Sequence, residues 1–73
     1  MTIPAEMTSA RLDSDTIKIV WTDCDTSEVW SRPGVDEAVL AHVGLDPATW
    51  ELDGGTQAGG FDVLTESVKV RRR

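Results

Sequence analysis

Cys24 is the only cysteine in a chain of 73 residues, so no internal disulfide can hold the fold together. Chains this short bury only about 60% of the surface that their unfolded form exposes, and they commonly lean on disulfides, metals or partner chains. A structural zinc site needs three or four ligands, mostly Cys or His. Cys24 and His42 are the only two such residues here. Any core must therefore come from a few large side chains. The chain supplies three tryptophans, one phenylalanine and no tyrosine. A lone thiol also fits a reducing compartment. No apolar run reaches the roughly 18 residues of a membrane span. The opening stretch "MTIPAEMTSARLDSD" lacks the basic start and apolar run of a secretion signal. These features predict one small domain over residues 1–73, cytoplasmic and off the membrane.

The formal net charge is −6. Arg71, Arg72 and Arg73 are three of the seven basic residues, so residues 1–70 carry four cations against thirteen acids, about −9. An acidic body repels a phosphate backbone. An acidic body with a basic tip at 69–73 suits head-to-tail contact with copies of itself, or a basic partner, and the tail itself suits an acidic patch on a neighbour.

Periodicity predicts the elements. Two strand-like runs flank the turn-forming triplet Asp13-Ser14-Asp15. In the second, Ile17, Ile19 and Trp21 alternate with Lys18, Val20 and Thr22. The run "SEVWS" is expected to return as a third strand after a four-residue loop, Asp23 to Thr26. Thr22 would then face Ser27, Ile19 would face Trp30, and Trp21 and Trp30 would share one side of the sheet. Pro33 and Gly34 end that strand. Asp36 and Glu37 then suit a first helical turn, with Val35, Val39 and His42 on its packing side. Gly44 reads as a left-handed helix stop with Leu45 folding back on Leu40. Asp46-Pro47 begins a single turn that leads to Trp50 and a short strand. "DGGTQAGG" reads as an exposed, mobile hairpin loop between strands over 49–53 and 61–70. In the last strand Leu64, Val68 and Val70 share parity, with Glu66 interrupting. The fold class is α+β: a small antiparallel sheet made of a β-meander, one helix packed on one face and a C-terminal hairpin.

The run "VLAHVGLDPATWEL", centred on Gly-Leu-Asp-Pro and Trp-Glu at residues 39–52, resembles a helix–turn–strand segment of small or N-terminal modules in actinobacteriophage proteins. Some of those modules precede phosphoesterase-like domains. No metallophosphoesterase motif stands in this chain, so the resemblance implies a phage source, in host cytoplasm or virion, and no activity.

The chemistry-bearing residues form no catalytic or cofactor signature. Asp23, Asp25 and Ser27 have the spacing that opens a calcium loop, but Glu28 stands where the turn glycine belongs and Gly34 where the bidentate Glu belongs. The reading is an inert hairpin tip. Carboxylates on both sides of Cys24 oppose a thiolate, and His42 is expected to pack on its helix. The glycine-rich stretch lacks the Lys-Ser/Thr of a phosphate loop. Trp21 and Trp50 suit the core. Trp30, beside Arg32 and Pro33, suits an interface. The expected function is a non-enzymatic protein–protein interaction or assembly module without metal or cofactor. It would self-associate or dock on a larger assembly, with Trp30, Arg71, Arg72 and Arg73 meeting the partner. The alternative is a nucleic-acid-associated accessory or regulatory protein that binds through its Arg tail.

Overall fold

The computed structural model describes residues 3–22, 24–59 and 63–73, without the side chains of 58 and 59. Its elements run β1 (Met7–Asp13), β2 (Thr16–Thr22), α1 (Thr26–Trp30), α2 (Val35–His42), β3 (Trp50–Gly59) and β4 (Val63–Arg72). The strands form one antiparallel sheet in the order β1-β2-β4-β3. The α+β class and the helix on one face follow the sequence. The turn after β1 does too: Asp13 pairs with Thr16, and Ser14 takes the left-handed φ of 60° that a two-residue turn asks for.

One face of the sheet carries the core. Ile17, Ile19 and Trp21 of β2 are fully buried, as are Val29 of α1 and Val39 and Leu40 of α2, to within 1% exposure. Val68 and Val70 of β4 and Met7 of β1 close the cluster. Period-2 alternation places the next residues outward, so Arg11, Lys18, Thr65 and Lys69 are exposed.

The third strand of the meander is replaced by a helix. Residues 26–30 form α1 because Asp25 acts as its cap: one carboxylate oxygen accepts from the Ser27 and Glu28 backbone N–H groups at 3.1 and 3.4 Å. The expected return onto β2 has no edge to use. Ile19 already pairs with Ala10 on one side and Glu66 on the other. The hairpin-tip reading therefore fails at Asp25, which caps a helix; Asp23 lies outside the described residues. Trp21 and Trp30 still meet, as an edge-to-face pair with centroids 5.6 Å apart, but across a helix–sheet interface. Arg32 then ties α1 down. Its guanidinium donates to Glu28 at 2.8 Å and to Glu6 at 2.7 Å, which holds the Glu6 carboxyl below its ordinary pKa.

α2 starts at Gly34, whose φ is 81°, with Asp36 and Glu37 in the first turn where the helix dipole favours acids. It ends as the sequence predicts. Gly44 sits at φ 88°, its N–H donates to the Ala41 carbonyl at 3.1 Å, and the Leu45 N–H reaches the Leu40 carbonyl at 2.9 Å. This is the paired hydrogen-bond pattern of a Schellman stop. A Cβ at Gly44 would touch nothing within 4 Å, so the cost of replacing it is conformational alone. Gly44→Val is expected to destabilise by about 1–2 kcal/mol in a urea melt; wild-type stability would contradict this reading of the helix end. His42 departs from expectation. It is exposed, and Leu40 takes the buried position instead. Asp46 caps the next turn through Ala48 N–H at 2.9 Å.

The glycine-rich stretch is not a loop through residue 59. It is the outer half of β3, paired with β4 from Gly55↔Val68 to Gly59↔Leu64. The glycines serve the pairing. The register shifts between Leu52 and Gly55, with Gly54 at φ 75°, the mark of a β-bulge. A Cβ on Gly55 would come within 2.7 Å of the Ser67 carbonyl oxygen. Gly60, Phe61 and Asp62, at the start of the expected last strand, lie outside the described residues.

Candidate functional site

The residue that interrupts the apolar parity of β4 is the centre of the most distinctive site. Glu66 stands on the core face between Ile19 and Gln57 and is only 7% exposed. One of its carboxylate oxygens accepts two indole N–H groups, from Trp21 at 3.0 Å and Trp30 at 2.8 Å. The other accepts the Gln57 amide N–H at 3.1 Å. That amide also donates to the hydroxyl of buried Thr26 at 2.7 Å. Every buried side-chain polar atom among the described residues has a partner. The network joins β2, β3, β4 and α1 through a single carboxylate. All three of its donors are neutral. The ion pairs among the described residues go to other acids, namely Glu6, Asp13, Glu28, Glu51 and Asp53.

A cleft of about 310 Å³ opens beside this network. Trp30, Leu52, Val68, Asp36 and Glu66 line it, with Gly54 and Gly55 at the bulge. Asp36, at the first turn of α2, is exposed. Partial burial, reinforced by neighbouring Glu37 and offset by Arg73, raises its carboxyl above the ordinary value.

Each of the four residues expected to meet a partner has an intrachain role. Trp30 is half-buried, held by Glu66 and Trp21. The Arg tail is no loose tip. Arg72 belongs to β4 opposite Trp50 and lies 5.5 Å from its ring centroid. Arg71 bonds Glu51 at 2.5 Å. Arg73 donates from its backbone to the Thr49 carbonyl at 2.8 Å and from its side chain to the Pro47 carbonyl at 2.9 Å. Trp50 is accordingly half-buried rather than central. Arg71 and Arg73 remain about half exposed, so the tail is anchored with its charges still facing water.

The outer face of the sheet gathers charge of the other sign. Arg11, Lys18, Lys69 and Arg71 stand there, with Asp13, Glu51 and Asp53. Thr56, Thr65 and Ser67 fill the spaces between them. Four cations against three acids leave the face about +1, so the remainder of the chain holds −7 of the formal −6. A second depression of about 240 Å³ lies on this face at Thr16, Thr56, Ser67 and Lys69. Sequence reasoning assigned the cations to a tip; strand alternation spreads them over a face.

Glu66, Gln57 and Thr26 were not among the expected site residues. A signal for Glu66 stood in the sequence, as one acid in an otherwise apolar row. Gln57 and Thr26 carried none, because the first lies in a stretch that reads as loop and the second in one that reads as a turn. Among the described residues no group of three or more His, Cys, Asp and Glu could hold a metal ion. No helix among them is long and apolar enough to cross a membrane. No protein-family model, no curated protein and no solved structure matches the chain.

Proposed function

We propose that this chain is a small, non-enzymatic protein–protein interaction module of a bacteriophage, acting in the host cytoplasm or virion, that self-associates or docks on a larger assembly. The observation that carries the reading is the gathering of four of the seven cations on the uncovered face of the sheet of an acidic chain. The uncovered side is about +1 and the rest of the molecule about −7. Cations gathered on one face of a net-acidic molecule favour a heterologous contact, the sheet face of one copy against an acidic surface of the next, and such contacts build rings or stacks. The phage source rests on the helix–turn–strand segment at 39–52.

The same four cations favour a second reading, a nucleic-acid-associated protein, since lysine and arginine among hydroxyl side chains suit phosphate contact. Its weight is reduced by the −6 net charge, which repels a polyanion at a distance.

Charge reversal separates the two. Deleting residues 71–73 would be a poor test, because it also removes the pairing of Arg72 with Trp50 and the bonds of Arg73. Arg11→Glu with Lys69→Glu alters exposed positions only. Light scattering is expected to show association at low salt that weakens toward about 0.5 M salt, as the Debye length shortens, and that the double variant loses. A protein monomeric at every salt would refute self-association. Retention of DNA or RNA on a filter by the parent chain, abolished in the variant, would establish the second reading.

A further inference from the structure

We infer that the cleft at Trp30 is a receptor for a cationic side chain, a lysine or arginine of a basic partner protein, with Glu66 at its floor and Asp36 at its rim. The inference goes beyond self-association and does not depend on it.

Three features converge. The first is an uncompensated charge. A carboxylate removed from water is ordinarily paired with a cation or a metal. Glu66 is 7% exposed, and among the described residues its hydrogen bonds come from two indoles and one amide. These donors orient the carboxylate and leave its charge uncancelled. A carboxylate offers about four lone-pair positions, so three donors still leave one acceptor position.

The second feature is the shape and chemistry of the walls. Lysine and arginine carry an apolar stem and a charged head, and they bury the stem where the head can find an anion. Trp30, Leu52 and Val68 offer apolar surface for the stem, while Glu66 and Asp36 are the charged residues that line the cleft among the described ones. An indole also attracts a cation to its ring. The volume of about 310 Å³ lies at the lower end of the roughly 300–1,000 Å³ of ligand pockets, which suits one side chain rather than a cofactor.

The third feature is that the cleft is kept open by the backbone. Gly54 takes a positive φ, and Gly55 has no room for a Cβ against Ser67. The bulge that creates the opening is therefore enforced by β3–β4 pairing. Arg73 lies within electrostatic range of Asp36, but its side chain is committed to Pro47 and Glu51. It does not supply the missing counter-charge of Glu66.

The Trp30 indole N–H reports directly on the site, since it donates to Glu66. Three blocked short peptides serve as probes, identical except for a central lysine, arginine or norleucine. Titration into the full 73-residue chain, followed by ¹H–¹⁵N spectra, is expected to shift the Trp30 indole resonance with the lysine or arginine peptide. The norleucine peptide should bind at least about tenfold more weakly. Asp36→Asn, an exposed change, should weaken cation binding about two- to fivefold. Glu66→Gln, which keeps an oxygen for the indoles, should weaken it by more than about tenfold. Absence of any Trp30 shift with both cationic peptides would overturn the inference. So would equal binding of norleucine, or affinities unchanged in both variants. Light scattering on the same samples reports self-association separately, so the failure of one proposal is visible without the other.

Discussion

Trp21→Ala is expected to bring the domain close to unfolding at room temperature. Trp21 is the largest fully buried side chain, and it sits where β2, β4 and α1 meet. Its ring packs edge-on against Trp30 and its N–H donates to Glu66. Large-to-small changes at aromatic core positions cost about 3–5 kcal/mol. A domain of this length has a total stability of about 4–11 kcal/mol at 0.05–0.15 kcal/mol per residue. One substitution thus removes about a quarter of the total at the least and more than all of it at the most. Trp21→Phe should cost less, about 1–2 kcal/mol, because the ring is mostly retained and the change lies mainly in the hydrogen bond. Urea denaturation followed by far-ultraviolet circular dichroism measures both. A loss below about 1 kcal/mol for alanine would mean that the core does not rest on this residue.

The second large effect is expected at Glu66, and it has an unusual pattern. Glu66→Ala should cost about 3 kcal/mol, since two indole N–H groups lose their acceptor at once and each stranded buried donor costs about 1–3 kcal/mol, while the Gln57 amide keeps Thr26 as a partner. Water entering from the adjoining cleft offsets part of that sum. Glu66→Gln should cost only about 1 kcal/mol, because its amide oxygen can still serve both indoles. Glu66→Leu extends the apolar row of Leu64, Val68 and Val70, as hydrophobicity alone would recommend. It should nonetheless be as damaging as alanine, because leucine accepts nothing. Thermal or urea melts of the three variants test the order Gln above Leu and Ala. A leucine variant more stable than the parent would show that the network is dispensable to the fold. The Trp30 indole N–H resonance of each variant, recorded without denaturant, separates loss of the network from global unfolding.

Local chemistry made much of the chain legible. The β1–β2 hairpin could be read from alternation around Asp13-Ser14-Asp15. The end of α2 could be read from Gly44 and Leu45, and the capped turn from Asp46-Pro47. In each case the deciding interactions lie within a few residues: a turn, a Schellman stop, a cap. The error at Thr26–Trp30 had a local source too. Asp25 followed by Thr-Ser-Glu is as good a helix start as it is a hairpin tip, and a five-residue helix is too short to show a period. What excluded the strand was competition for an edge. β4, some forty residues further along, occupies the side of β2 that the returning strand would have needed.

The sequence by itself determined the class of fold, the face of β2 that is buried with Trp21 on it, and the exit from α2, because residue type and spacing set these within one element. Only the tertiary structure decided the strand order, the extension of the glycine-rich stretch into β3, the anchoring of Arg71 to Arg73 and the burial of Glu66. Each of those depends on a neighbour distant in sequence: Ser67 against Gly55, Thr49 and Glu51 against the arginines, two indoles from different elements on one carboxylate. A buried charge is legible in a sequence only as a break in an apolar row. Whether that break is a defect or a hub depends on which donors the fold brings to it, and here the fold brings Trp21, Trp30 and Gln57.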